Sequence, residues 1–156
     1  MAIQPSSCPS GDEKVVLFGL LLETNARLAK SLGQTLEEEC ELPLPWFEVL
    51  LQLRKASDGR MKMNEIADAI VRSTGGTTRL IDRLEASGFV ERQNCPDDRR
   101  AIHVAITAAG DQKLDEALEV HVRYLEGHLG NRLTDDERSM LRTLLDKVNA
   151  PDTIVK

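Results

Sequence analysis

Aromatic residues are scarce in this sequence: they make up 3% of its 156 residues, with one Trp and one Tyr. A core with so few rings must be built from Leu, Ile, Val, Ala and Met, which favours packed helices over a β-sandwich. Hydrophobic residues account for 41% and charged residues for 29%, which is ordinary for a globular protein. The length suits one domain with a sizeable core, and we predict a mostly α-helical fold.

Cysteine is rare as well. The three cysteines, Cys8, Cys40 and Cys95, are odd in number and widely spaced, which excludes a disulfide framework and gives no zinc-ligand pattern. No basic segment precedes an apolar stretch at the N-terminus, and no apolar run approaches ~20 residues. We therefore expect a cytoplasmic protein with reduced thiols, no metal and no membrane partner.

The usual patterns of an enzyme are also missing. The sequence has no Ser-His-Asp arrangement, phosphate-binding loop or metal triad, and His103, His121 and His128 have no acidic partner at metal-ligand spacing. We predict no catalytic residue and no cofactor.

The sequence does contain helical periodicity, interrupted once by strand-like alternation. Two short helical patterns begin near Asn64 and Ser73, and a two-stranded ribbon is predicted from the runs at 89–94 and 101–107. Longer helical patterns lie on both sides. Two short helices followed by a β-ribbon are typical of a winged helix-turn-helix, which binds duplex DNA.

The second short helix has residues suited to such a role. Leu80, Ile81 and Leu84 form an apolar face that can dock on the rest of the domain. The opposite face carries Thr78 and Arg79, and Arg is well suited to contacts with guanine edges and phosphates. Small residues at the start of the helix let its positive end approach phosphates closely.

Charge is distributed unevenly along the chain. The formal net charge of −6 argues against a protein that is basic throughout. Residues 64–107, however, carry six Arg and no Lys against seven acidic residues, so this segment is nearly neutral. Arg99 and Arg100 lie in the turn of the ribbon, where the potential of a narrow minor groove attracts Arg, and we expect Asp98 to pair with a neighbouring Arg.

These runs resemble the MarR family of bacterial regulators. The resemblance is carried by Asn64 to Arg92, which includes Thr78-Arg79-Leu80-Ile81-Asp82-Arg83-Leu84, by Pro96-Asp97-Asp98-Arg99-Arg100-Ala101, and by Thr107 with Gly110. It is strong from Trp46 to about Leu118. The sequence departs from the family at Gly75-Gly76, where side chains are common.

The resemblance implies a mostly α-helical homodimer with a small β-wing, bound to a palindromic operator whose half-sites lie about one helical turn apart. It also implies repression as the default and, in many members, a small effector ligand. The expected segments are a disordered tail (1–11), an N-terminal dimerisation helix (12–42), the winged helix-turn-helix (43–107), C-terminal dimerisation helices (108–150) and a tail (151–156).

Two sets of site residues follow from the resemblance and the pattern together. We expect DNA contacts from polar and small residues of the second helix and the wing: Ser73, Thr74, Gly75, Thr77, Thr78, Arg79, Arg83, Arg99 and Arg100. Trp46, Phe47, Arg54 and Arg27 lie where family members often bind aromatic acids. The alternative is that the two aromatic residues are core anchors and the two Arg residues lie on the surface.

Two alternatives to a ligand-responsive DNA-binding regulator stay open. Cys95, close to Arg99 and Arg100, is a candidate redox sensor, because nearby cations lower the pKa of a thiol. The acidic charge also allows a protein-interaction module that keeps the fold but does not bind DNA.

We predict that Arg100→Ala weakens specific DNA binding by at least ~1 kcal/mol, because Arg100 is the expected minor-groove contact of the wing. The dimer should stay intact. The measurement is operator affinity by mobility shift, with size-exclusion chromatography as the control. Equal affinity of the two proteins would refute the wing assignment.

Overall fold

A computed structural model describes residues 11–70, 74–94 and 102–150 of the chain. The helices and strands are α1 (Glu13–Cys40), α2 (Leu44–Lys55), β1 (Arg60–Lys62), α3 (Met63–Ala69), α4 (Thr74–Ala86), β2 (Val90–Asn94), β3 (Ile102–Ile106), α5 (Ala108–Leu125) and α6 (Asp135–Asn149). A π-helical turn, Glu126–Gly130, follows α5. The predicted mostly α-helical fold with a small β-wing is confirmed. Residues 1–10 and 151–156 of the predicted tails lie outside the described residues.

The core is built around α2 and is mainly aliphatic, as the composition predicted. Leu50 and Leu53 of α2 are completely buried, and Phe47 is 2% exposed. All elements from α3 to α5 and the end of α1 contribute to the same cluster. The residues are Leu36, Ile66, Ile81, Leu84, Val90, Val104, Leu114 and Ala117. One core therefore joins the second half of α1 to the rest of the domain.

The sheet has one strand more than the sequence predicted. Its order is β1-β3-β2, with both pairs antiparallel, so β3 lies in the middle. Val104 of β3 pairs with Met61 on one side and with Arg92 on the other. The sequence pattern predicted only the two-stranded ribbon, because a run as short as the three residues of β1 gives no clear alternation.

Tight contacts connect the sheet to α5. Thr107 caps α5, because its hydroxyl accepts from the backbone N–H of Gly110 at 3.0 Å, and the same hydroxyl donates to the carbonyl of Gly88 at 2.7 Å. The backbone N–H of Thr107 donates to the carbonyl of Phe89. A Cβ atom at Gly110 would lie 2.0 Å from that carbonyl oxygen, so only glycine fits here.

Helix α4 ends in a regular glycine cap at Gly88. Gly88 has a φ of 76°. Its N–H donates to the carbonyl of Glu85, and the N–H of Phe89 donates to the carbonyl of Leu84. This pair of bonds is a Schellman motif, which requires a left-handed residue at the position of Gly88. It turns the chain from α4 directly into β2.

Two helical segments lack cover from the described residues. In the first half of α1, apolar side chains are half exposed, with Leu17 at 56% and Phe18 at 61%. No residue of α6 is buried, although Leu141, Leu144 and Val148 recur on it at helical spacing. Val122 of α5 is also exposed.

None of the helices in the described ranges is long and apolar enough to cross a membrane.

Candidate nucleic-acid interface

The described parts of α3 and α4 form the two helices of a helix-turn-helix. On α3, Ile66 and Ala67 are buried. On α4, the side chains of Thr77, Leu80, Ile81 and Leu84 are at most 8% exposed and form one buried face. Because a helix repeats every 3.6 residues, burying this face leaves the opposite face of α4 in solvent.

The solvent face of α4 presents cations and a hydroxyl. Thr78, Arg79 and Arg83 are all exposed. Neither Arg79 nor Arg83 forms an ion pair with another residue in the described ranges. Two guanidinium groups one turn apart, free of carboxylates and beside a hydroxyl, are suited to phosphates and base edges.

The predicted DNA contacts on α4 do not all lie on the same side of the helix. Thr78, Arg79 and Arg83 lie together on the exposed face of α4, and Thr74 and Gly75 begin that helix. Thr77 is different, because its side chain is completely buried in the core. Its prediction as a DNA contact is wrong: it lies two positions before Arg79 and therefore on the opposite side of the helix.

Ser73, Cys95, Asp98, Arg99 and Arg100 lie outside the described residues. The wing tip, its salt bridge and the redox hypothesis therefore stay predictions.

Arg92 is a charged residue of this region for which the sequence pattern predicted no role. Its Nη2 donates to Asp82 Oδ1 at 2.5 Å, and its Nη1 donates to Glu85 Oε2. Burial lowers the pKa of Arg92, but the hydrogen bonds that Arg92 donates to Asp82 and Glu85 outweigh this effect and raise the pKa above its ordinary value. The sequence pattern could have indicated this role. Arg92 lies on the same strand face as the apolar Val90, and an Arg on a buried face needs a carboxylate partner nearby.

A cavity lies between the exposed face of α4 and the start of α2. It has a volume of about 330 Å³, and Pro43, Pro45 and Trp46 line it on one side, with Arg79 and Arg83 on the other. The Trp46 ring packs edge-on against Phe89, with 6.2 Å between ring centroids. An aromatic surface therefore faces two cations across this cavity.

The four residues predicted as a ligand pocket have different surroundings. Only Trp46 of the four lines the cavity described above. Phe47 is in the core, edge-on to His121 with ring centroids 5.0 Å apart. Arg27 is exposed on α1. For Phe47, the structure agrees with the alternative of a core anchor rather than a ligand contact.

Arg54 also forms hydrogen bonds to carboxylates of this chain. Its Nε donates to Asp111 Oδ1 at 2.9 Å, its Nη2 to the Asp111 carbonyl at 2.6 Å, and its Nη1 to Asp115. Burial lowers the pKa of Arg54, while the bonds to Asp115 and Asp111 raise it above its ordinary value. This guanidinium joins α2 to the start of α5, and these bonds favour a structural role for Arg54 over the predicted ligand contact.

The half-buried His121 and the buried Cys40 both have shifted pKa values with structural explanations. Burial lowers the pKa of His121, which favours the neutral ring that packs on Phe47. Burial also raises the pKa of the Cys40 thiol, and the nearby Glu39 carboxylate adds to this effect. No group of side chains in the described ranges has the arrangement of a metal site.

Comparison with known proteins points to one family. The sequence model of the MarR family matches residues 42–102. YkoM of Bacillus subtilis, an HTH-type transcriptional regulator, is 32% identical over 90 residues, which are 57% of this chain and 57% of YkoM. The chain thus spans little more than half the length of that relative.

Two solved structures match over nearly the whole chain. AbsC, a MarR family transcriptional regulator from Streptomyces coelicolor, has a TM-score of 0.78 at 26% identity, covering 88% of this chain and 92% of AbsC. A mutant of E. coli MarR complexed with operator DNA has a TM-score of 0.77 at 28% identity, covering 92% of this chain and 99% of MarR.

Proposed function

We propose that this chain is a member of the MarR family and a sequence-specific transcriptional regulator that binds a palindromic operator as a homodimer. The exposed face of α4 carries this proposal. Thr78, Arg79 and Arg83 form a surface of hydrogen-bond donors and cations on a helix whose other face is fixed in the core. A short helix of this kind fits the major groove. Regulation of this type needs no catalytic residue.

Binding to duplex DNA should depend strongly on salt. Each phosphate contact lowers the slope of log affinity against log salt by about 0.9, so six to ten contacts cost roughly 10³–10⁵-fold between 50 and 200 mM salt. The measurement is a mobility shift with a duplex selected from a randomised pool.

Arg79→Ala should relax the selected base preference more than it lowers affinity for a scrambled duplex, because Arg79 is expected to contact base edges.

Lys30→Ala is the matched control, because Lys30 is an exposed cation on α1, away from the helix-turn-helix. It should select the same sequence as the wild-type protein. The absence of any shift at 50 mM salt would favour the alternative, a protein-interaction module on the same fold. An unchanged motif for Arg79→Ala would contradict the role given to that side chain.

The uncovered helices support the homodimer. Many apolar side chains of α1 and α6 lie in solvent in the single chain, and soluble monomers rarely expose large apolar surfaces. An amphipathic helix with no buried residue, such as α6, requires a second surface to be stable. A second copy of this chain supplies the same apolar side chains in a self-complementary contact.

Leu144→Glu should convert the dimer to a monomer. Leu144 is 50% exposed in the single chain, so the substitution removes little packing within it and places a charge in the proposed interface. The mass measured by light scattering at micromolar concentration should fall by half. Ser139→Glu, at an exposed position of α6, is the control and should stay dimeric. A monomeric wild-type protein would contradict the assembly.

We further propose that a small aromatic anion is the effector and that it binds in the cavity between α2 and α4. The Trp46 ring and the two prolines offer an apolar wall, and the guanidinium groups of Arg79 and Arg83 offer partners for a carboxylate. Because the same two Arg residues belong to the proposed DNA surface, the anion and DNA would compete. This competition gives a ligand-relieved repressor.

Benzoate should change the fluorescence of Trp46 in a saturable way and weaken DNA binding. Trp46 is the one tryptophan of the sequence, so its emission reports on this cavity. Benzamide has the same shape without the charge and should bind more weakly, and Arg83→Gln should weaken benzoate binding. Equal binding of the two compounds would argue against an anion site, and no saturable change would argue against the cavity.

A further inference from the structure

Arg92 connects β2 to α4 through three hydrogen bonds. Besides the two bonds of its guanidinium to Asp82 and Glu85, its backbone N–H donates to Glu85 Oε1 at 3.0 Å. The side chain of Arg92 is 25% exposed, whereas that of Asp82 is 58% exposed. The Arg is thus held between strand and helix, and the Asp lies near the surface that carries Arg79 and Arg83.

The position of Asp82 creates a problem for DNA binding. Asp82 follows Arg79 by three residues, a spacing at which a carboxylate and a guanidinium on a helix surface are neighbours and can pair. A free Asp82 would therefore compete with DNA for Arg79, and its charge would also repel phosphates. In the structure, Asp82 pairs with Arg92, and Arg79 has no ion pair with any described residue.

The same contact fixes the ribbon against the helix. Arg92 lies in the middle of β2, opposite Val104 of β3, and Val104 is completely buried. The bonds from Arg92 to α4 therefore act on the ribbon at a point where the sheet is packed into the core. Rotation of β2 and β3 relative to α4 requires breaking these bonds.

We propose that Arg92 is a positioning residue for DNA recognition, a role that rests on the function proposed above. It withdraws the Asp82 carboxylate from Arg79, so that Arg79 is available to DNA, while its backbone N–H, which any residue at this position retains, helps to hold the ribbon against α4. Arg92 acts through Asp82 and Glu85 and does not itself contact the duplex.

The test is a double-mutant cycle with Arg92→Gln, Asp82→Asn and the double variant. Affinity is measured for the duplex that the wild-type protein selects from a randomised pool and for a scrambled duplex of equal length. Arg92→Gln should lose about tenfold in affinity for the selected duplex. Asp82→Asn should bind at least as tightly as the wild type. The double variant should recover to within about threefold of the wild type, because the carboxylate that traps Arg79 is gone.

Arg54→Gln is the matched control, because Arg54 also bonds two aspartates from a half-buried position but lies on α2. Adding Asp82→Asn to Arg54→Gln should not restore any affinity for the selected duplex. Arg92→Lys keeps the charge near Asp82 and should lose less than Arg92→Gln. If Arg92→Gln does not fold, the decisive comparison is whether Arg92→Lys with Asp82→Asn binds more tightly than Arg92→Lys alone.

Three results would overturn the proposal. If Arg92 contacts phosphate directly, the double variant stays as weak as Arg92→Gln and its salt slope is smaller by about 0.9. If Arg92 serves stability alone, Arg92→Gln lowers the unfolding midpoint without a loss of affinity when folded. If the wild-type protein shows no salt-dependent DNA binding, the proposed function fails and this role fails with it.

Discussion

The proposed DNA surface depends on the burial of one face of α4. Leu80, Ile81 and Leu84 lie in the core, and removing such side chains from water stabilises the fold by about 1.5–3 kcal/mol each. Exposed ion pairs contribute far less, with a median of ≈ 0–1 kcal/mol. The apolar contacts therefore decide the rotation of α4, and the helical period then sends Arg79 and Arg83 outward.

The second constraint is the connection between the winged helix and α5. Thr107 and Gly110 pack against the turn of Gly88 and Phe89, and Arg54 joins α2 to Asp111 near the start of α5. These contacts leave little freedom between the winged helix and α5. In the proposed dimer, the position of each DNA-binding helix would follow from the helices that form the interface.

Much of the fold could be predicted from patterns that act locally. The apolar face of α4, the Thr107 cap and the glycine at 88 each depend on residues within one helical turn or one tight turn. Local patterns do not give the surroundings of side chains that depend on distant elements. Thr77 is polar by type but lies on the buried side, and the partners of Arg54 are 57 and 61 residues away in the sequence.

The sequence by itself determined the helices and the ribbon, because periodicity and turn residues are properties of neighbouring positions. Only the tertiary structure decided which charged groups are free. Arg54 and Arg92 are held by carboxylates, whereas Arg79 and Arg83 face solvent beside Trp46. A guanidinium has the same chemistry at all four positions, so its role follows from what the fold places within hydrogen-bonding distance.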